Sequence, residues 1–182
     1  MARIPYFDPA QADGRAAEAF KKLPALNIFR MLGHSGNMLD AFIKFGNAIL
    51  YHTDVDPILR EIAIVRVGVL KKGKYEVFQH ERISRQIGMA EDKIKAIHIG
   101  PDAPAFNELE RLVMHFTDDI VANTRASDAT FNAISAKLPV KQVQELVLAI
   151  GFYTGVCYYL ETFDVDIEEK GNEATINMER RS

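Results

Sequence analysis

The chain has 182 residues, 48 % hydrophobic and 26 % charged, with a formal net charge of -3, the composition of an ordinary globular protein with enough chain to bury a core. Mixed charge without a basic excess argues against nucleic acid as a partner. No apolar run approaches the roughly 20 residues of a membrane span, and the opening MARIPYFDPAQADGR lacks a secretory h-region, so a cytoplasmic protein with no membrane partner is expected.

Apolar residues recur at spacings of three and four, without sustained alternation, which predicts an all-α chain. One domain is expected over residues 1–182, with an N-terminal arm and short helix to residue 24, a core over about 25–165 and a tail over 166–182. Pro5 and Pro9 precede a short helix predicted over Ala10 to Lys22, which Pro24 ends. NIFRML reads as a further short helix punctuated by Gly33 and Gly36, and Asn37 is placed to cap the next one.

DVDPILREIAIVRVGVLKKG has Asp56 as N-cap, Pro57 in the first turn, Lys71 and Lys72 at the C-terminal end, and Gly73 as the expected C-cap. Apolar residues surround it, which predicts a central helix. A second helix follows over Lys74 to Ile87, closed by Gly88. MAEDKIKAI gives a short helix and GPDAP a loop. AFNELERLVMHFTDDIVAN is long and amphipathic, and SDATFNAISAKL opens on a Ser cap. The last helix begins at Pro139 and is apolar nearly all round, with Gly151 and Gly155 able to admit another backbone. Glu145, ahead of its own apolar run, faintly echoes Glu61.

Glu76 and His80 are four apart and share a helix face, which Ser84 continues. A carboxylate beside an imidazole raises its pKa and orients its ring, the requirement for a general acid or base. Taken alone, the pair reads first as a solvated or core-satisfied ion pair contributing about 0.2–0.5 kcal/mol. Glu61 shifts the balance, because an acid inside a nearly all-apolar helix needs a partner or takes up a proton. It can be served by its helix N-terminus, by Arg60 or Arg82, or, across a turn at Gly73, by His80. No metal is expected, since nothing here matches HExxH or a repeated Glu-x-x-His pattern. His34, His52, His98 and His115 read as capping, surface or packed residues. Cys157 is the single cysteine; it reads as a small buried hydrophobe and excludes a dithiol mechanism within one subunit.

LREIAIVRVGVLKKGKYEVFQHERISRQIGM resembles the core signature of the carboxymuconolactone decarboxylase family, which shares the alkyl hydroperoxidase D-like helical bundle. His80 follows Glu61 by nineteen residues and Gly88 follows by eight more. In the hydroperoxidase branch a Cys-x-x-Cys pair lies before the histidine, and its positions fall here on Gly73 and Glu76, so both redox sulfurs are missing. The resemblance implies the fold, a Glu61–His80 pocket, a homo-oligomer (trimer or hexamer), and proton-transfer chemistry such as decarboxylation or isomerisation on a small organic acid or lactone, as in aromatic catabolism; Glu76 joins His80 and Glu61 as a candidate catalytic residue through the helix face it shares with His80. No cofactor is expected. In this reading Glu61 orients His80, His80 moves the proton, and Glu76 holds the imidazole or polarises the substrate. The rival readings are a cysteine-independent peroxide- or redox-related protein and a non-catalytic oligomeric binder of small molecules. Arg82 and Arg85 are left unassigned as substrate-binding cations.

Overall fold

The computed structural model describes residues 1–169 and 174–178, and its regular elements are all helical. In chain order they are a 3-10 turn at Pro9–Gln11, then α1 (Gly14–Phe20), α2 (Asn27–Leu32), α3 (Gly36–Tyr51), α4 (Pro57–Lys71), α5 (Lys74–Gln86), α6 (Glu91–Ile99), α7 (Glu108–Asn123), α8 (Asp128–Lys137) and α9 (Val140–Thr162).

The centre of the bundle is α4, which packs against α5, α6, α7 and α9. Asp56 caps it by accepting from the backbone N–H groups of Ile58 and Leu59. Every residue from Leu59 to Gly68 is buried, so three charged groups, Arg60, Glu61 and Arg66, enter the interior and need partners. Arg66 finds a bidentate one in Asp118, at 2.7 and 2.9 Å, and also donates to the carbonyl of Ile97. Glu61 faces the opposite way, toward α5.

Four expectations change. The predicted Ala10 to Lys22 helix is split: the 3-10 turn capped by Asp8 ends at Gln11, and α1 begins only at Gly14, whose φ of +46° breaks the helical path. The cap of α3 is Ser35, not Asn37, and Gly36 begins the helix where a Cβ would meet the Cβ of Ala16 at 3.2 Å. The left-handed residue ending α4 is Lys72, at φ 58°, whereas Gly73 has φ -76° and starts α5. Gly73 serves close packing instead: a Cβ there would lie 2.8 Å from the sulfur of Cys157.

The fourth concerns α9. At 23 residues it is long and apolar enough by length and composition to cross a membrane. In the fold it is a core helix, with Leu146, Ile150, Tyr153, Cys157 and Leu160 buried against the bundle. Gly151 and Gly155 meet nothing within 4 Å among the described residues. Glu145 accepts from the N–H groups of Asp54 and Val55 and anchors the loop before α4, so its echo of Glu61 is structural. The N-terminal arm meets the segment just after α9: Asp166 accepts from Ala2 N and from the Tyr6 hydroxyl, and Arg3 N donates to the carbonyl of Phe163.

Candidate active site

Helix α5 turns back along α4 so closely that a Cβ on Gly68 would approach Val77 Cγ2 to 2.8 Å. That antiparallel pairing brings Glu61 to His80. Glu61 Oε2 lies 2.7 Å from His80 Nδ1, and Glu61 Oε1 accepts from Arg60 Nε at 3.2 Å. On the other side of the ring, His80 Nε2 is 3.1 Å from Glu76 Oε1. This second contact is an ion pair out of line for a hydrogen bond, and Glu76 Oε1 has no hydrogen-bond partner among the described residues. The ring of Tyr153 stands edge-on to the imidazole with centroids 4.7 Å apart. All four charged side chains are buried: Glu61 0 %, Arg60 3 %, Glu76 3 % and His80 3 % exposed.

Burial alone would push the imidazole pKa down. The charges of Glu61 and Glu76 outweigh it and raise His80 from 6.5 to about 10. With His80 protonated, two carboxylates are balanced by an imidazolium and a guanidinium, which is how this cluster is tolerated in the interior. Both ring nitrogens face carboxylates, so in this arrangement neither is left for a metal.

His80 and Glu76 line a cavity of about 930 Å³; Glu61 stands behind them, outside the lining. Leu26, Ile28, Phe42, Leu50, Phe152 and Tyr153 supply apolar wall. Tyr75 and Gln79, one turn apart on α5, also face the cavity and are bound by the tail: Glu168 accepts from the Tyr75 hydroxyl at 2.5 Å, from Gln79 Nε2 at 2.6 Å and from Asn27 N at 2.8 Å. Thr175, Ile176 and Asn177 complete the wall. Tyr51 Oη, Arg82 Nη1 and Gln86 Nε2 hold that segment by donating to Asn177 O, Ala174 O and Thr175 Oγ1.

The structure thus brings together the three residues singled out from sequence, and of the alternatives for Glu61 it shows two at once, Arg60 and His80. Ser84 donates to the carbonyl of His80, a role internal to α5. Neither flanking arginine reaches the cavity: Arg85 pairs with Glu81 and Glu91 on the surface, and Arg82 holds the tail. His34 donates to the carbonyl of Pro5 and His98 pairs with Glu81, both at exposed positions, while His52 sits at the cavity rim. Cys157 is fully buried, and burial, followed by the charge of Glu76, pushes its thiol pKa up. Sequence reasoning missed Tyr153, Gln79, Glu168 and the tail. Only Gln79 left a signal, lying three residues after Glu76 on the same face.

The sequence model of the carboxymuconolactone decarboxylase family matches residues 37–119, from the start of α3 into α7, and so spans Glu61, Glu76 and His80. No curated protein sequence matches the chain. Among solved structures, an uncharacterised peroxidase-related protein from Silicibacter sp. TM1040 is similar with a TM-score of 0.79 at 15 % identity, over 94 % of this chain and 96 % of that one. A peroxidase-related protein with the alkylhydroperoxidase AhpD core, from Ralstonia eutropha JMP134, gives 0.79 at 16 % identity, over 93 % of each chain. The debrominase Bmp8, in complex with 2,3,4-tribromopyrrole, gives 0.72 at 14 % identity, over 79 % of this chain and 77 % of that one. These likenesses establish the alkyl hydroperoxidase D-like fold.

Proposed function

We propose that this chain, which the sequence model of the carboxymuconolactone decarboxylase family matches over residues 37–119, is an enzyme of proton-transfer chemistry, isomerisation or decarboxylation, acting on a small organic acid or lactone. One observation carries the reading: His80 is held at both ring nitrogens, by Glu61 at 2.7 Å and Glu76 at 3.1 Å, at the wall of an enclosing apolar cavity. A residue needed only for packing has no reason to bring a buried ion cluster to a cavity wall. That the debrominase of the same fold holds a small ring compound supports an occupant of that size.

The raised pKa divides the work. His80 rests as imidazolium at neutral pH and donates, while Glu76 is the carboxylate available to accept. For a lactone, Glu76 takes a proton from the carbon beside the carbonyl, and the C–H pair becomes the new C=C bond as charge moves onto the carbonyl oxygen. His80 stabilises that oxyanion by donating a hydrogen bond. Return of the proton at the far end of the conjugated system completes an isomerisation and restores both groups. In a decarboxylation the pair comes from the C–C bond to departing carbon dioxide, and His80 protonates the same enolate. Glu61, with Arg60, fixes the ring and its charge.

Deuterium uptake tests this without a known substrate. In D2O, proton NMR should show the protein exchanging C–H protons beside the carbonyl of members of a panel of lactones and enolisable ketones. His80→Ala and Glu76→Gln should each slow the exchange about 100-fold or more, the scale of a positioned acid or base. Exchange indifferent to His80→Ala, or a wild-type protein that exchanges none of the panel, overturns the reading.

A further inference from the structure

Among the described residues, the buried polar side chains lining the cavity are Tyr75, Glu76, Gln79, His80 and Tyr153. All but the last are committed. Tyr75 donates its hydroxyl to Glu168, and the Gln79 amide nitrogen turns to the same carboxylate. Glu76 only accepts, and His80 meets carboxylates at both ring nitrogens. Tyr153, on α9, is 4 % exposed, and its hydroxyl makes no hydrogen bond among the described residues. The hydroxyl is not sealed in either. The fully enclosed polar atoms without a partner among those residues are Arg60 Nη2, Glu76 Oε1 and Gln79 Oε1, so the unpaired Tyr153 oxygen keeps contact with the cavity space.

The surroundings of Tyr153 fit a hydrogen-bond donor. Its ring stands edge-on to the imidazole of His80, with centroids 4.7 Å apart, and edge-on to Phe152 at 5.2 Å, so packing fixes its position. Burial, then the nearby charges of Glu76 and Glu61, push its pKa well above the ordinary value and keep the phenol protonated at neutral pH. An uncommitted buried O–H costs desolvation and contributes nothing to the fold. It gains a partner when an oxygen acceptor enters the cavity. His80 alone serves such an acceptor poorly, because a developing oxyanion competes for its protons with Glu61 at 2.7 Å and Glu76 at 3.1 Å.

We propose that Tyr153 is a further catalytic residue of this cavity, whose hydroxyl donates a hydrogen bond to the carbonyl oxygen of a lactone or ketone substrate and holds the oxyanion that forms there. This rests on the proton-transfer reading and deepens it. As the proton leaves the carbon beside the carbonyl, its electron pair becomes the C=C bond and the C=O pair moves onto oxygen, while Tyr153 keeps its own proton throughout. The hydrogen bond is strongest at the enolate, where the oxygen carries most charge, so removing it lowers kcat more than it raises KM.

Tyr153→Phe removes the hydroxyl and keeps the ring against His80. In D2O, with the panel of lactones and enolisable ketones, it should slow saturated exchange about 100-fold, the scale of losing one oxyanion donor, with KM little changed. Its urea midpoint should equal or exceed that of the wild type, since no hydrogen bond inside the protein is lost. A purely structural tyrosine gives the opposite pair of results. A second measurement needs no turnover: carbon-13 NMR of carbonyl-labelled cyclohexanone should show a downfield carbonyl shift on binding to the wild type, which Tyr153→Phe abolishes. The proposal is overturned if the variant exchanges at the wild-type rate, if its midpoint falls or it does not fold, if the carbonyl shift survives the substitution, or if the ketone does not bind at millimolar concentration. Should the wild type exchange nothing while the carbonyl shift depends on Tyr153, the reaction fails and the donor stands as a ligand contact. Exchange that needs His80 and ignores Tyr153 leaves the reaction and sinks the donor.

Discussion

Glu61 Oε2 and His80 Nδ1 stand 2.7 Å apart, with both side chains almost wholly withdrawn from water. The contact ties stability to pH in a definite direction. Folded His80 keeps its proton up to about pH 10, whereas the unfolded imidazole releases it near 6.5. Between those values the folded state binds more protons, so stability falls as pH rises. The contribution is complete below about 6.5 and lost through 10. The urea midpoint should therefore decline from pH 6.5 to pH 10, and His80→Gln should flatten the decline. Equal slopes for the two proteins would count against the buried imidazolium.

Glu168 is the tail's anchor, accepting from Tyr75, Gln79 and Asn27 at once. Glu168→Ala removes all three bonds and leaves the Gln79 amide and the Tyr75 hydroxyl to find other partners. Hydrogen exchange of the amides in 174–178 should quicken at least tenfold, with the protection of α4 unchanged. If the amides of 174–178 keep their protection, the cavity wall does not depend on this clasp.

The helical architecture, the Asp56 cap of α4 and the meeting of Glu61 with His80 are legible in the sequence because each is local or nearly so. Periodicity reports which face is buried, and a tight reversal after α4 makes a nineteen-residue spacing close on itself. What stayed hidden is held by partners far apart in sequence. Glu168 meets Tyr75 across 93 positions and Gln79 across 89, from a described stretch outside the helices, where no period marks an inward-facing residue. Gly73 misled for another reason: a glycine ending a helix usually supplies a positive φ, but here Lys72 adopts it and the missing side chain is what matters.

Along α3 and α9 apolar surface stays open: Met38 is 61 % exposed, Leu148 53 % and Tyr158 58 %, around the unapproached Gly151 and Gly155. A second copy covering this face is expected, in a trimer or a hexamer as the resemblance implies. Sedimentation velocity should return one such species, and Met38→Glu combined with Leu148→Glu should dissociate it. A monomer at every concentration would refute the assembly.

Gly73→Ala would force a Cβ to within 2.8 Å of Cys157 Sγ and should destabilise the fold by about 1–3 kcal/mol, the scale of overpacking a tight core. In a Cys157→Ala background the same change should be much milder. Chemical denaturation of the four proteins gives the coupling energy directly, and additive effects would show that the two sites do not share this space.

That shared space constrains the order in which such a chain can change over evolutionary time. By the resemblance, position 73 stands where the hydroperoxidase branch carries one of its two cysteines, and here its room is filled by the side chain of Cys157 in α9. A lineage carrying this packing cannot take a cysteine at 73 by one substitution without a steric penalty; α9 must first give up bulk at 157. The two positions are coupled in order: an exchange at 157 on α9 decides which side chains position 73 can accept.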